Sequence, residues 1–364
     1  MLPRAGTTAP SAPLTVSSPS SDRGEGYSPA TSRTTAELRR GIEKCGQAVM
    51  ECEASAEGVL AATGVMYLAH VDPAHVRVEG MGCCQPRLGE ASLAVETDVA
   101  LAKRVYTGLE RTVARGCRRS NGVGCPGGCT GACARKVLLA CTSEDARMPD
   151  EVMRYVRLGF EVGPRLSTLG ADPVVAPVDQ LAKSSANEAE RLRQFARFSH
   201  MADGSFLAIA RPKAAVLPFA AGYFTARLAC ERFCLVDVRH AQALVHEAQG
   251  RSAIVGLPAA DVDRLASMDL AGADGDLAAH DERYVRAMWK GFYDAMALPG
   301  RDASHRGYDL RKQFMPERLW GGLPELDPRS GETGGYVPPA YGGDHLAQEG
   351  GRLRGDVLQD MRPI

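Results

Sequence analysis

Basic and aromatic side chains are concentrated in residues 183–239, where their types suit contact with nucleic acid. This segment contains nine Lys and Arg residues and five Asp and Glu residues, a local excess of four positive charges. Arginine and lysine contact phosphates, and aromatic rings stack on unpaired or flipped bases. The residues that we expect to form a nucleic-acid-binding surface are Arg193, Arg197, Phe198, Phe224, Arg227 and Arg239.

A purely structural role would explain the same residues. Side chains alternate between the two faces of a strand, so about half of those in the predicted strands should point inward. In this alternative, Arg197 and Arg239 pair with Asp203 and Asp237, and the phenylalanines fill the core. His240 lies in a predicted hairpin turn, where we expect it to be exposed.

A second group of reactive side chains is formed by cysteines in a Gly-rich segment. Their spacing is Cys-x7-Cys-x3-Cys-x3-Cys, and four thiolates on one loop suit zinc or an iron–sulfur cluster. The spacing matches neither paired Cys-x2-Cys knuckles nor a Cys-x3-Cys-x2-Cys motif, so a Cys-rich surface insertion without a ligand stays an alternative. The candidate metal ligands are Cys117, Cys125, Cys129 and Cys133.

Composition and the motifs that are missing from the sequence exclude several classes of protein. The 43 Lys and Arg residues nearly balance the 44 Asp and Glu residues, so any attraction for nucleic acid must be local. No apolar run is long enough for a bilayer span, and we expect a cytoplasmic protein with no membrane partner. The sequence contains no Walker A loop, dinucleotide-binding glycine motif or Gly-x-Ser-x-Gly elbow.

The predicted elements indicate an α+β fold. Apolar spacing predicts a helical N-terminal part, with helices over 35–51, 57–68, 96–113, 149–160 and 177–193. The pattern of residues 194–247 then predicts a small antiparallel sheet of two hairpins around one helix. The strands are predicted over 194–200, 205–210, 232–238 and 243–247, and the helix over 216–228. A C-terminal helix is predicted over 281–296.

Composition also predicts how the chain is divided. Residues 1–33 form a disordered tail in this prediction, 34–325 a single α+β domain, and 326–364 a Gly- and Pro-rich tail. Within the domain we expect a Cys-rich insertion at 116–135 and an acidic linker at 257–280.

The order and spacing of several motifs resemble a family of bacterial proteins described as "probable DNA metabolism protein". The resemblance covers roughly residues 50–325. It rests on VETD at 95–98, RYVRLGF at 154–160, ERLRQFARF at 190–198, LVDVR at 235–239, and the stretch from Trp289 to Met315-Pro316 and Trp320. The chain departs from the family at ECEASAEG, residues 51–58, where a Tyr-Asp-Gly-Ser-Phe-Glu-Gly-like segment is usual.

The resemblance implies an accessory role in DNA repair or modification. Members occur alone or fused to a uracil-DNA-glycosylase-like domain and are associated with a radical S-adenosylmethionine partner. The main hypothesis is therefore a protein that binds DNA or such a catalytic partner. Two alternatives stay open: an enzyme that acts on a nucleobase or nucleic acid, and a metal-binding protein centred on the cysteines.

Overall fold

The computed structural model describes residues 27–114, 132–268 and 282–295, together with Leu319 and Leu323. Helices and short strands are mixed within these ranges, which confirms the predicted α+β class. The chain groups into two compact units. Among the described residues, the larger contains 27–114, 132–196 and 209–263, and the smaller contains 197–208, 264–268 and 282–295 with Leu319 and Leu323. The domain and tail boundaries drawn from the sequence stay predictions.

The larger unit begins with a helix and three parallel strands. Helix α1, Pro29–Cys45, starts within the segment that composition assigned to a tail, because Ser28 caps it by accepting a hydrogen bond from the Thr31 amide. Strand β1, Ala48–Cys52, is followed by α2, Ala56–Ala69, β2, Val76–Gly80, and β3, Ala91–Ala94. The strand order is β2-β1-β3.

This parallel sheet was not among the predicted elements. Strand β1 is buried along nearly its whole length, so its apolar residues do not alternate, and the predicted helix over 35–51 absorbed it. Gly46, with φ of 74°, ends α1 before that strand. Positive φ favours glycine, which was therefore the available signal that the helix stops there.

Helices cover the parallel sheet and supply most of the core. They are α3, Val99–Ala114, α4, Ala132–Ala140, α5, Met148–Val162, and α6, Val175–Phe195. Three of these confirm the predicted helices over 96–113, 149–160 and 177–193. Helices α3 and α5 approach closely at Gly159, where an added Cβ would lie 2.5 Å from a methyl carbon of Leu109.

The smaller unit contains the first predicted hairpin. Strand β4, Ser199–His200, pairs antiparallel with β5, Phe206–Ala210, whose last two residues belong to the larger unit. The predicted strand over 194–200 is too long, because α6 continues to Phe195. The predicted turn at Asp203-Gly204 is confirmed, and Gly204 adopts φ of 78°.

The larger unit continues with α7, Leu217–Arg227, and three antiparallel strands. These are β6, Phe233–Asp237, β7, Gln242–His246, and β8, Ser252–Gly256, in the order β6-β7-β8. The helix and the β6–β7 hairpin were predicted, whereas β8 was missed. Helix α8, Ala259–Ser267, lies inside the predicted linker; its Asp261 and Arg264 sit at opposite ends of the helix. Each charge therefore interacts favourably with the dipole at its end.

The last described element is α9, Glu282–Ala295, in the smaller unit, which confirms the predicted C-terminal helix. Among the side chains of α9 that the structure describes, the buried ones are charged. Glu282 and Arg286 form an ion pair of 2.7 Å, and Glu282 also accepts a hydrogen bond of 2.9 Å from the His200 amide. Arg286 contacts the Ser199 hydroxyl. No helix in the described ranges is long and apolar enough to cross a membrane.

Candidate functional site

The turn between β6 and β7 holds a cluster of charged side chains in the larger unit. Strand β6 ends at Asp237, which is fully buried. Its Oδ1 atom accepts hydrogen bonds from the backbone amides of Arg239, at 3.1 Å, and His240, at 3.2 Å. An aspartate that binds amides two and three residues ahead fixes the shape of a turn. The Asp237 side chain therefore positions both following residues.

The same aspartate also holds the His240 ring. Asp237 Oδ2 lies 2.6 Å from Nδ1, and because a carboxylate accepts hydrogen bonds, the ring carries a proton on Nδ1. Nε2 lies 3.1 Å from Glu144 Oε1, at an angle too oblique for a good hydrogen bond. The prediction that His240 lies in a turn is confirmed, but its predicted exposure is wrong, since its side chain is only 11% exposed.

Glu144 belongs to the loop between α4 and α5 and covers the histidine. A β-bridge between Ser143 and Ala214 fixes this loop, together with a hydrogen bond of 3.0 Å from the Ala215 amide to the Thr142 carbonyl. Glu144 is therefore placed by pairing with the segment that precedes α7. No local sequence pattern predicts this contact, because Glu144 and Arg239 are 95 positions apart.

Arg239 forms an ion pair with Glu144. Its Nε donates a hydrogen bond of 2.8 Å to Glu144 Oε1, and a terminal nitrogen contacts Oε2. The Arg239 guanidinium lowers the pKa of Glu144, and burial opposes that shift. A purely structural role had predicted that Arg239 pairs with Asp237. Its ion partner is instead Glu144. A phosphate would have to compete with this carboxylate for Arg239.

Two chemical roles are compatible with the cluster. A histidine whose Nδ1 is oriented by a carboxylate is a common acid–base group, with Nε2 as the atom that exchanges protons. The same contacts also tie the β6–β7 turn to the α4–α5 loop.

Helix α7 presents an exposed aromatic and basic pair. Tyr223 is 39% exposed, and the exposed Arg227 donates a hydrogen bond of 3.2 Å from Nη1 to the Tyr223 hydroxyl. Phe224 is buried at 2% exposure and meets the Tyr223 ring edge to face, with centroids 5.2 Å apart. Phe224, a predicted stacking residue, therefore supports the ring of Tyr223 from the core.

Tyr223 was not among the predicted residues, and helical spacing does not separate it from Phe224. Leu217, Ala220 and Phe224 follow each other at intervals of three and four and are buried together. Val216, Ala220 and Tyr223 follow each other at intervals of four and three, yet Tyr223 is exposed. Only the packing of the folded chain shows which ring faces the core.

The remaining predicted nucleic-acid residues lie in two places. Arg193, on the last turn of α6, forms an ion pair of 3.1 Å with Glu190. Arg197 and Phe198 belong to the smaller unit, where both are half-buried. Arg193, Phe224, Arg227 and Arg239 belong to the larger unit. The structure therefore divides the predicted residues between the units.

The candidate metal ligands fall mostly outside the described residues. The structure does not describe Cys117, Cys125 or Cys129, so the metal site stays a prediction. Cys133 is buried in the first turn of α4, and its carbonyl accepts a hydrogen bond of 3.4 Å from the Tyr155 hydroxyl. Within the ranges that the structure describes, no group of three or more His, Cys, Asp or Glu side chains could hold a metal ion.

Comparison with protein families assigns part of the chain. Residues 146–325 match the model of a domain of unknown function, DUF4130. The match includes α5 to α9 and the β6–β7 turn, whereas Glu144 and the parallel sheet precede it. The chain therefore contains a domain of unknown function. Searches of curated proteins and of solved structures found no match.

Proposed function

We propose that this protein is an accessory factor of DNA repair or modification that binds nucleic acid beside α7 and leaves catalysis to a partner. The single observation that carries the proposal is the exposed pair of Tyr223 and Arg227. A phenol ring offers a face to an unpaired base, and the neighbouring guanidinium offers a donor to its phosphate. We call Arg211, Lys213, Tyr223 and Arg227 the α7 surface.

The sequence segment that contains this pair carries only positive charge. Residues 204–230 contain three basic residues, Arg211, Lys213 and Arg227, and no acidic residue. All three are exposed in the larger unit. Because the whole chain has a formal charge of −1, attraction for a polyanion must come from local segments of this kind.

Single-stranded nucleic acid suits the α7 surface better than duplex. Stacking on an aromatic side chain requires a base whose face is free, and such contacts contribute about 1–3 kcal/mol per base. The phosphate contacts carry no sequence information, so the proposed binding is sequence-tolerant. The resemblance to the DNA metabolism family supports DNA as the nucleic acid, and a radical S-adenosylmethionine or uracil-DNA-glycosylase-like protein as the catalytic partner.

Variants of the pair test the proposal by fluorescence anisotropy with a labelled single-stranded oligonucleotide. We expect Arg227→Ala to weaken binding roughly 3- to 10-fold and to reduce the salt slope by about one. Tyr223→Ala should weaken binding at least about fivefold through lost stacking. Tyr223→Phe keeps the ring and removes only the hydroxyl contact with Arg227, so it should bind nearly as well as the wild type.

Arg165→Ala is the matched control, because Arg165 is an exposed arginine of the same unit, on the 3-10 helix Gly163–Thr168. It should leave affinity and salt slope unchanged. Equal losses in Arg165→Ala and Arg227→Ala would show that any positive charge contributes equally, and the α7 surface would then be rejected as the binding site.

A second candidate function is an enzyme that acts on a nucleobase or nucleic acid. It is favoured by the 2.6 Å contact between Asp237 and His240, which orients an imidazole as acid–base catalysis requires. Incubation with single-stranded and duplex oligonucleotides, with and without uracil, tests this candidate. A product that His240→Gln abolishes while DNA binding persists would support it. Unchanged oligonucleotides would reject it for these substrates.

A further inference from the structure

We propose that a groove on the larger unit binds an arginine side chain from the surface of a partner protein. The groove lies between the end of α2, the 3-10 helix Pro73–His75 and the last turns of α5. Its volume is about 360 Å³, at the lower end of the range for ligand sites. It is lined by Tyr67, Asp72, Pro73, Arg157, Phe160 and Glu161.

Two aromatic rings form the apolar wall of this groove. Tyr67 and Phe160 meet edge to face, with centroids 5.5 Å apart and ring planes at 85°. Phe160 is also fixed from behind, because Gly108 of α3 leaves space for its ring; an added Cβ there would lie 3.4 Å from it. Tyr67 remains 37% exposed, so part of the aromatic wall is open to solvent.

The charged rim of the groove is acidic. Arg157 Nε donates a hydrogen bond of 2.8 Å to Glu161 Oε1, which largely neutralises that pair. Asp72 contributes a second carboxylate, and its Oδ1 caps the 3-10 helix by accepting from the Ala74 amide at 2.9 Å. Glu161 raises the pKa of Arg157, and the more distant charge of Asp72 adds to that shift. Two carboxylates and one guanidinium leave the groove with a net negative charge.

Tyr67 contributes a neutral hydroxyl to this rim. Burial raises the pKa of its phenol to about 12, and the charge of Glu161 acts in the same direction. The hydroxyl therefore keeps its proton at neutral pH, and the ring keeps the electron-rich face that attracts cations.

An arginine side chain matches this combination of wall and rim. Its guanidinium is planar, stacks on aromatic faces and donates to carboxylates, whereas the compact ammonium of lysine is more strongly hydrated. The carboxylates repel phosphate. The groove and the α7 surface therefore bind different kinds of ligand. Because Glu161 and Tyr67 stay exposed, the groove suits a side chain presented by another surface.

Titration of the ¹⁵N-labelled full chain with a capped Gly-Gly-Arg-Gly-Gly peptide tests the groove by amide chemical shifts. We expect saturable shifts around Phe160, with a dissociation constant of about 1–10 mM. Binding is expected to be weak because one cation–π contact and exposed carboxylates contribute little free energy. The same peptide with citrulline in place of arginine keeps the shape and loses the charge. It should bind at least about fivefold more weakly.

Two variants remove one negative charge each without emptying the groove. Asp72→Asn and Glu161→Gln should each weaken the arginine peptide roughly 2- to 5-fold, whereas Tyr223→Phe should leave it unchanged. Equal affinities for the arginine and citrulline peptides would overturn the proposal. So would shifts that persist undiminished in both variants, or the absence of saturable shifts at about 50 mM peptide.

Discussion

Replacing Arg286 with alanine is expected to destabilise the smaller unit by about 3–5 kcal/mol, one of the two largest effects that the structure predicts. Arg286 and Glu282 are 8% and 4% exposed, and removal of the guanidinium leaves a buried carboxylate without its cation. The same change removes the contact with the Ser199 hydroxyl. Urea unfolding followed by tryptophan fluorescence measures the loss, since Trp289 lies on α9.

A double variant separates buried charge from packing. Glu282→Gln combined with Arg286→Met removes both charges and keeps similar volumes, so it should recover at least about half of the loss. A loss below about 1 kcal/mol in Arg286→Ala would contradict the buried ion pair, because it would place both groups in contact with water.

Replacing Asp237 with alanine is expected to cost about 3 kcal/mol in the larger unit. The change removes Oδ1, which accepts hydrogen bonds from two turn amides, and Oδ2, which accepts from His240 Nδ1. The Asp237 side chain that holds both oxygens is fully buried. Each buried donor left without a partner costs about 1–3 kcal/mol. Differential scanning calorimetry or urea unfolding of the purified variant measures this effect.

Asp237→Asn divides the two roles of the aspartate. Its amide oxygen can still accept from the turn amides, while its NH₂ group replaces the oxygen that faces His240. We therefore expect about half the loss of Asp237→Ala. If Asp237→Asn and Asp237→Ala were equally damaging, the contact with His240 would dominate. If both left stability unchanged, the turn would not depend on this side chain, contrary to the geometry.

Strong local patterns allowed much of the fold to be predicted. Helices α3, α5 and α6 have apolar residues at regular helical spacing, and the β6–β7 hairpin alternates around a short polar turn. The parallel sheet was missed for two reasons. Strand β1 is a short buried run, which has no period that separates strand from helix, and β2, although it alternates, has only five residues. Helix α8 was missed because its Asp- and Ala-rich sequence resembled a linker.

The candidate site was predicted less completely, for two different reasons. His240 owes its environment to Glu144, and no local pattern reports a contact between loops so far apart in sequence. Arg239 is partly exposed, and its ion partner comes from the same distant loop. Phe224 and Tyr223 have the same helical spacing to buried neighbours, so only packing distinguishes the buried ring from the exposed one.

Anisotropy of a labelled single-stranded oligonucleotide, titrated with the purified full chain across a salt series, tests whether the α7 surface binds nucleic acid. Duplex of the same sequence is measured alongside. We expect saturable binding that favours the single strand. If three basic residues contact phosphate, the logarithm of affinity should fall with the logarithm of salt concentration at a slope of about −2. Absence of binding at low salt, or affinity that does not change with salt, would contradict a nucleic-acid-binding role for the α7 surface.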